Sequence, residues 1–117
     1  MKIRRIVPNI KSERLEESRE FYEDVIGLEV GMDLGWILSF GSPSNETAQI
    51  SMIVKDATAP VHPDVSIEVE DVDAVHAKAV ERGLEIVHPL TNEPWGMRRF
   101  FVRDPNGTVV NVVMHLP

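Results

Sequence analysis

A chain of 117 residues, 43% hydrophobic and 26% charged, has the composition of a folded globular domain rather than a disordered or fibrous one. Nineteen acidic against twelve basic side chains leave a net charge of −7, which opposes phosphate backbones and anionic lipid, so neither nucleic acid nor a membrane surface is expected as a partner. The absence of cysteine excludes disulfides, thiolate metal sites and thiol nucleophiles together, as suits a reducing compartment. The basic start Met1-Lys2-Ile3-Arg4-Arg5 meets Lys11, Glu13 and Arg14 before any apolar run fit for a signal peptide, and no stretch is long enough to span a bilayer. A soluble cytoplasmic protein is the expectation.

Ile3 to Lys11 alternates loosely, with Ile6 and Ile10 on one side and Arg5, Asn9 and Lys11 on the other, as in a half-buried strand that Pro8 confines to an edge or bulge. Leu15, Ser18, Phe21, Tyr22, Val25 and Ile26 follow at helical spacing; Ser12 or Glu13 suits the N-cap and Gly27 the left-handed C-terminal position. Leu28 to Met32, Gly35 to Phe40 and Ala48 to Val54 read as three strands with turn-rich segments between them. Residues 60–64 form a linker, since Pro60 and Pro63 hold it extended and outside a ladder. Val65 to Glu70 then alternates as a strand, Asp71 and Asp73 place carboxylates at a helix start, and Val72, Val75, Ala79 and Val80 form that helix's apolar stripe up to Gly83. Strands at Leu84 to Val87, Met97 to Arg103 and Thr108 to His115 complete the chain, the last two joined by Asp104-Pro105-Asn106-Gly107, with Pro second and Gly last as in a type I turn.

Gly27-Leu28-Glu29-Val30 recurs as Gly83-Leu84-Glu85-Ile86, in each case between a helix and a strand. The chain therefore reads as one β-α-β-β-β module written twice: module one over 1–59, the linker, and module two over 65–117. Half the chain buries too little surface to stand comfortably alone, so both modules are expected in a single α+β domain, with a ligand groove between their sheets.

A doubled unit of this kind resembles the vicinal oxygen chelate superfamily, which includes glyoxalase I, extradiol dioxygenases, fosfomycin-inactivating enzymes and the bleomycin-resistance binding proteins. The segment Leu15 to Tyr22 with Gly27-Leu28 is similar to that family's first helix, Glu68 to Asp73 to its mid-chain strand and helix start, and Arg103 to Gly107 to its final hairpin. The resemblance implies a curved mixed sheet of two tandem βαβββ modules. In the family's enzymes His and Glu side chains from equivalent strands hold one divalent metal in the groove. The matching places here carry Val7, about Ser51, Asp64 and Asn111, of which only Asp64 is a good ligand, whereas a catalytic metal wants roughly three. No metal and no cofactor are expected on that basis. A set of His62, Asp64 and His115 is the remaining metal alternative; His76 and His88 read as ordinary surface-flank and strand-end histidines.

No phosphate-binding loop or nucleophile elbow is present, and no catalytic residue is assigned. The expected ligand-binding residues are Trp36 and Trp95, the only tryptophans, as flat aromatic walls, with Asp64, Glu68, Arg98, Phe100 and Asn111. Strand parity places Arg98 and Phe100 on the same side as Asn111, and Arg99 and Arg103 on the other, if the final hairpin closes on a two-residue turn. The function implied is metal-free binding or sequestration of an aromatic or cationic small molecule, as in the bleomycin-resistance type, by a homodimer. A metal-dependent lyase, transferase or dioxygenase with an altered site is the alternative.

Overall fold

The computed structural model describes all residues from Met1 to Pro117, with eight strands, β1 to β8, and two helical regions. By contact the chain falls into two compact units: an N-terminal unit of Ile6–His62, and a C-terminal unit of Pro63–Pro117 together with Met1–Arg5. β1 (Ile3–Lys11) thus contributes residues to both.

In the N-terminal unit, β1 is followed by α1 (Leu15–Arg19), a π-helical segment (Glu20–Ile26), and β2 (Glu29–Asp33), β3 (Ile37–Gly41) and β4 (Gln49–Ile53). Its strands lie in the order β2-β3-β4-β1, with β1 parallel to β4 and the other pairs antiparallel. In the C-terminal unit, β5 (Val65–Val69), α2 (Val72–Glu81), β6 (Ile86–Glu93), β7 (Met97–Arg103) and β8 (Val109–His115) repeat the plan in the order β6-β7-β8-β5, with β5 parallel to β8. Each half is a βαβββ module, and the fold is α+β, as the repeated sequence implied. Both helical regions end on a glycine in the left-handed region, Gly27 at φ 94° and Gly83 at φ 67°, a conformation that costs any residue with a Cβ.

Each unit has its own core on the helix side of its sheet. Leu38, Phe40 and Met52 pack with Leu15, Tyr22, Leu28, Val30 and Ile50, and the Tyr22 and Phe40 rings sit 5.2 Å apart. In the C-terminal unit Val69, Val72, Ala79, Phe100 and Val112 form the centre, flanked by Ile67, Val75, Leu90 and Val110 among others. α2 is capped by Asp71, whose carboxylate accepts from the Ala74 N–H at 3.1 Å. No helix is long and apolar enough to cross a membrane.

Three expectations about packing are corrected. Phe21, Val25 and Ile26 are exposed rather than buried, because the helix loosens after Arg19: Gly27 N–H bonds back to Tyr22 O, five residues earlier, and the wider turn rotates these side chains off the stripe that Leu15 and Tyr22 keep. Val80 is likewise exposed, one residue past the buried Ala79 at the end of α2. On β1 the buried positions are Val7 and Asn9, while Ile6 and Ile10 lie open. The Ser12 hydroxyl accepts from Arg14 N–H, but α1 has no side-chain cap at its first residue.

Candidate functional site

β5, β8, β7 and β6 of the C-terminal unit turn one face to α2, and the opposite face collects the polar side chains. Across β5 and β8, Ser66 lies beside Asn111 and Glu68 beside Val113; across β8 and β7, Asn111 lies beside Phe101, Val113 beside Arg99 and His115 beside Met97. Facing cross-strand partners share a face of a sheet, so Ser66, Glu68, Asn111, His115, Arg99 and Phe101 stand together, away from α2.

The placement of Arg98 and Phe100 beside Asn111 is therefore corrected. Arg103 pairs with Val109, Asp104 N–H reaches Thr108 O at 2.9 Å, and Gly107 N–H reaches Asp104 O at 3.1 Å with Gly107 at φ 85°. The type I turn is present, but the left-handed Gly107 adds a residue to it, and one extra residue in a turn reverses the parity of the strand pairing. Phe101 rather than Phe100 thus meets Asn111. Phe100 goes to the α2 side, fully buried, with the His76 ring edge-on at 4.9 Å. Arg98 donates to Asp73 of α2 at 2.8 and 3.2 Å and to Asn92 at 2.9 Å. That hydrogen-bonded guanidinium holds the Asp73 carboxyl below its ordinary range, and the Asp73 carboxylate raises Arg98 in turn. Asp104 is also lowered, by the Thr108 and Asn106 N–H groups that its side chain accepts in the turn.

Three polar arrangements make up the face. Glu68 is buried between Arg5 and His115: Arg5 Nε of β1 lies 2.7 Å from Oε1 and His115 Nδ1 lies 3.2 Å from Oε2, both close contacts without a directed hydrogen bond. Asn111 donates through Nδ2 to Ser66 Oγ at 3.0 Å, and its buried Oδ1 has no hydrogen-bond partner. Arg99, on β7, donates to Glu93 Oε2 at 2.6 Å, and His88 Nε2 approaches the same oxygen at 3.3 Å, all three side chains being buried. The Arg99 guanidinium also stacks on the Trp95 ring at 5.0 Å and the Phe101 ring at 4.7 Å.

Of the residues expected from sequence, Asp64, Glu68, Trp95, Asn111 and His115 belong to the C-terminal unit. Asp64 accepts from the Val109 N–H at 2.8 Å, so one carboxylate oxygen secures the start of β8. Trp36 and His62 belong to the N-terminal unit, where the Trp36 carbonyl accepts from Val54 N–H. No three His, Asp or Glu side chains come together as a metal-holding cluster. Arg5, Arg99 and Phe101 were not anticipated as site residues, and neither was the pairing of His88 with Glu93. Five residues along a regular strand span roughly 17 Å; register shifts on either side of His88, around Pro89, bring that pair together. Pro89 in a strand was the available signal for such an irregularity.

Comparison with known proteins places this geometry. The family model of the glyoxalase/bleomycin resistance protein/dioxygenase superfamily matches residues 5–112. No curated protein matched the chain. Among solved structures, a superfamily member from Vibrio splendidus superposes with a TM-score of 0.70 at 17% identity, covering 97% of this chain and 99% of the other. Methylmalonyl-CoA epimerase from Mycobacterium tuberculosis gives 0.68 at 17% identity over 98% and 88%. Homoprotocatechuate 2,3-dioxygenase from Brevibacterium fuscum gives 0.72 at 20% identity, covering 99% of this chain but 33% of that one. At such identities the superpositions establish the fold, while the family match extends over nearly the whole sequence. The chain belongs to the glyoxalase/bleomycin resistance protein/dioxygenase superfamily.

Proposed function

We propose that this chain binds a small molecule on the face of its C-terminal unit opposite α2, without a resident metal, in the manner of the superfamily's binding proteins. The observation that carries the reading is Asn111. It stands where the family resemblance expects a metal-ligating His or Glu, yet it is a neutral amide that spends its Nδ2 on Ser66 and keeps a buried Oδ1 without a partner. An unpaired buried acceptor costs about 1–3 kcal/mol, and a ligand N–H or O–H donor removes that penalty, whereas an amide oxygen alone holds a divalent cation poorly. Val7, at another of the equivalent places, offers no donor atom.

The ligand class is narrowed by what already occupies the polar groups. Glu68 faces Arg5 and His115, and Trp95 carries the Arg99 guanidinium, so a neutral aromatic molecule bearing a hydrogen-bond donor suits the face better than a cation. The homodimer remains part of the proposal: Phe21, Val25, Ile26, Ile6 and Ile10 leave apolar surface open on the N-terminal unit, which a second copy would cover. A reducing compartment such as the cytoplasm suits the cysteine-free chain.

Elemental analysis of protein purified without chelator tests the first claim, and stoichiometric tight metal would overturn it. Ligand-observed NMR with a panel of neutral aromatic amides and phenols tests the second. Binding is expected in the wild type and lost in Asn111→Leu, with the variant at least as stable as the parent. Binding that survives Asn111→Leu would remove Asn111 from the site. Sedimentation as a monomer at micromolar concentration would end the dimer proposal.

A further inference from the structure

The turn Asp104-Pro105-Asn106-Gly107 sets the pairing of β7 and β8, and it also places an asparagine directly before a glycine at the surface. A backbone amide nitrogen can attack the side-chain carbonyl of the asparagine that precedes it, and a Cβ on the attacking residue is the main obstacle to that approach. Asn9, Asn45, Asn92 and Asn111 precede Ile10, Glu46, Glu93 and Val112, whereas Asn106 precedes Gly107. Asn9 and Asn111 are moreover buried, while Asn106 and Gly107 are exposed. Sequence and exposure therefore single out the same asparagine.

We propose that Asn106 is a site of spontaneous deamidation, and that Asp104 restrains the reaction in the folded chain. The Gly107 nitrogen, its proton given up to hydroxide, bonds to Asn106 Cγ; the Cγ–Nδ2 bond breaks, and Nδ2 leaves as ammonia with a proton taken from water. Water then opens the succinimide ring. Addition at Cγ gives aspartate, and addition at the main-chain carbonyl gives isoaspartate, whose link to Gly107 runs through Cγ. The folded turn opposes the first step because both reacting groups are engaged on Asp104: Gly107 N–H donates to its carbonyl at 3.1 Å, and Asn106 Nδ2 donates to its Oδ2 at 3.4 Å. Oδ1 of the same carboxylate accepts from Asn106 N–H at 2.8 Å and Thr108 N–H at 2.9 Å, and Arg103 Nη1 donates to Gly107 O at 2.9 Å. Attack waits on local opening of this network. Isoaspartate adds a methylene to the main chain of a turn whose length fixes the register of β7 against β8, so the modified turn fits its hairpin poorly. The inference uses none of the residues of the ligand reading and stands apart from it.

The test ages the full chain in mildly alkaline buffer, folded and urea-unfolded, and follows each asparagine by peptide mass spectrometry, with isoaspartate counted by an isoaspartyl methyltransferase. Asn106 is expected to convert before any other asparagine, and about tenfold more slowly in the folded than in the unfolded chain, as the release of hydrogen bonds of this kind requires. Asp104→Ala should convert several-fold faster than wild type when folded and at the wild-type rate when unfolded, since only the folded chain holds the network. Circular dichroism establishes that the variant is folded; if it is not, the folded-to-unfolded ratio of the wild type decides alone. The isoaspartyl form, separated by ion exchange, should unfold at lower urea than the parent. Earlier conversion of another asparagine, or an Asn106 still intact in the folded chain after many half-lives of the unfolded one, would overturn the site. Equal folded and unfolded rates would overturn the restraint, and equal urea midpoints the effect on the hairpin.

Discussion

Phe101 faces Asn111 across β7 and β8, and that single pairing decides which side chains line the polar face of the C-terminal unit. It depends on Gly107, whose φ of 85° lengthens the turn by one residue. A Cβ at Gly107 would meet nothing within 4 Å, so the penalty for a side chain there is conformational only. Gly107→Ala is expected to lower stability by about 1–2 kcal/mol, the cost of left-handed backbone for an L-residue, and Gly107→Asn by less. Urea denaturation measures both; an unchanged midpoint in Gly107→Ala would contradict the turn described here.

Arg99 and Glu93 make a buried ion pair at 2.6 Å, shared with His88. Removing one partner strands the other, so Glu93→Leu or Arg99→Met alone should cost about 3–5 kcal/mol. The double variant, which removes both charges, should recover much of the loss. A double-mutant cycle by chemical denaturation gives the coupling, and simple additivity of the two losses would show that the pair contributes no net interaction.

The acid limb of stability should report Asp73 and Asp104. Both carboxyls are lowered below their ordinary value of 3.8 in the folded chain, the first by Arg98, the second by N–H groups of its own turn. A lowered carboxyl binds its proton more weakly when folded than when unfolded. Its contribution is therefore present above the ordinary value and is lost as pH falls through the lower folded one. Asp73→Asn and Asp104→Asn should each be less stable than wild type at neutral pH, with the difference closing in acid below 3.8. A gap that widens on acidification would reverse the assignment.

The two helical regions start differently, and the difference should be measurable. Asp71 caps α2 through the Ala74 N–H, so Asp71→Ala should cost about 1 kcal/mol. α1 has no side-chain cap at its first residue, and Ser12→Ala should cost less. Thermal melts of the two variants compare them directly, and equal losses would count against the distinction.

Much of the fold is legible in the sequence alone. Gly27 and Gly83, each followed by Leu and Glu, mark the same helix end in both halves, because only glycine adopts the required left-handed backbone without penalty. The helix start at Asp71 and Asp73 and the type I turn at Asp104 are readable for the same reason: each is a local preference carried by a few neighbouring atoms. Glu68 as a carboxylate on the face away from α2 followed from simple alternation along β5.

The residues that were misplaced all depended on something beyond the local run. Arg98 and Phe100 exchanged faces with Arg99 and Phe101 because one turn residue reverses the parity of an entire hairpin. Phe21, Val25 and Ile26 left their stripe where the helix widened, and His88 met Glu93 through register shifts around Pro89. Composition, periodicity and turn chemistry thus determined the duplicated βαβββ plan, since helix ends, strand alternation and turns are short-range properties. Only the tertiary structure decided that Arg5 and His115 flank Glu68 and that Asn111 keeps a buried oxygen unpaired, because those contacts join strands far apart in the chain and turn on register, which no short segment encodes.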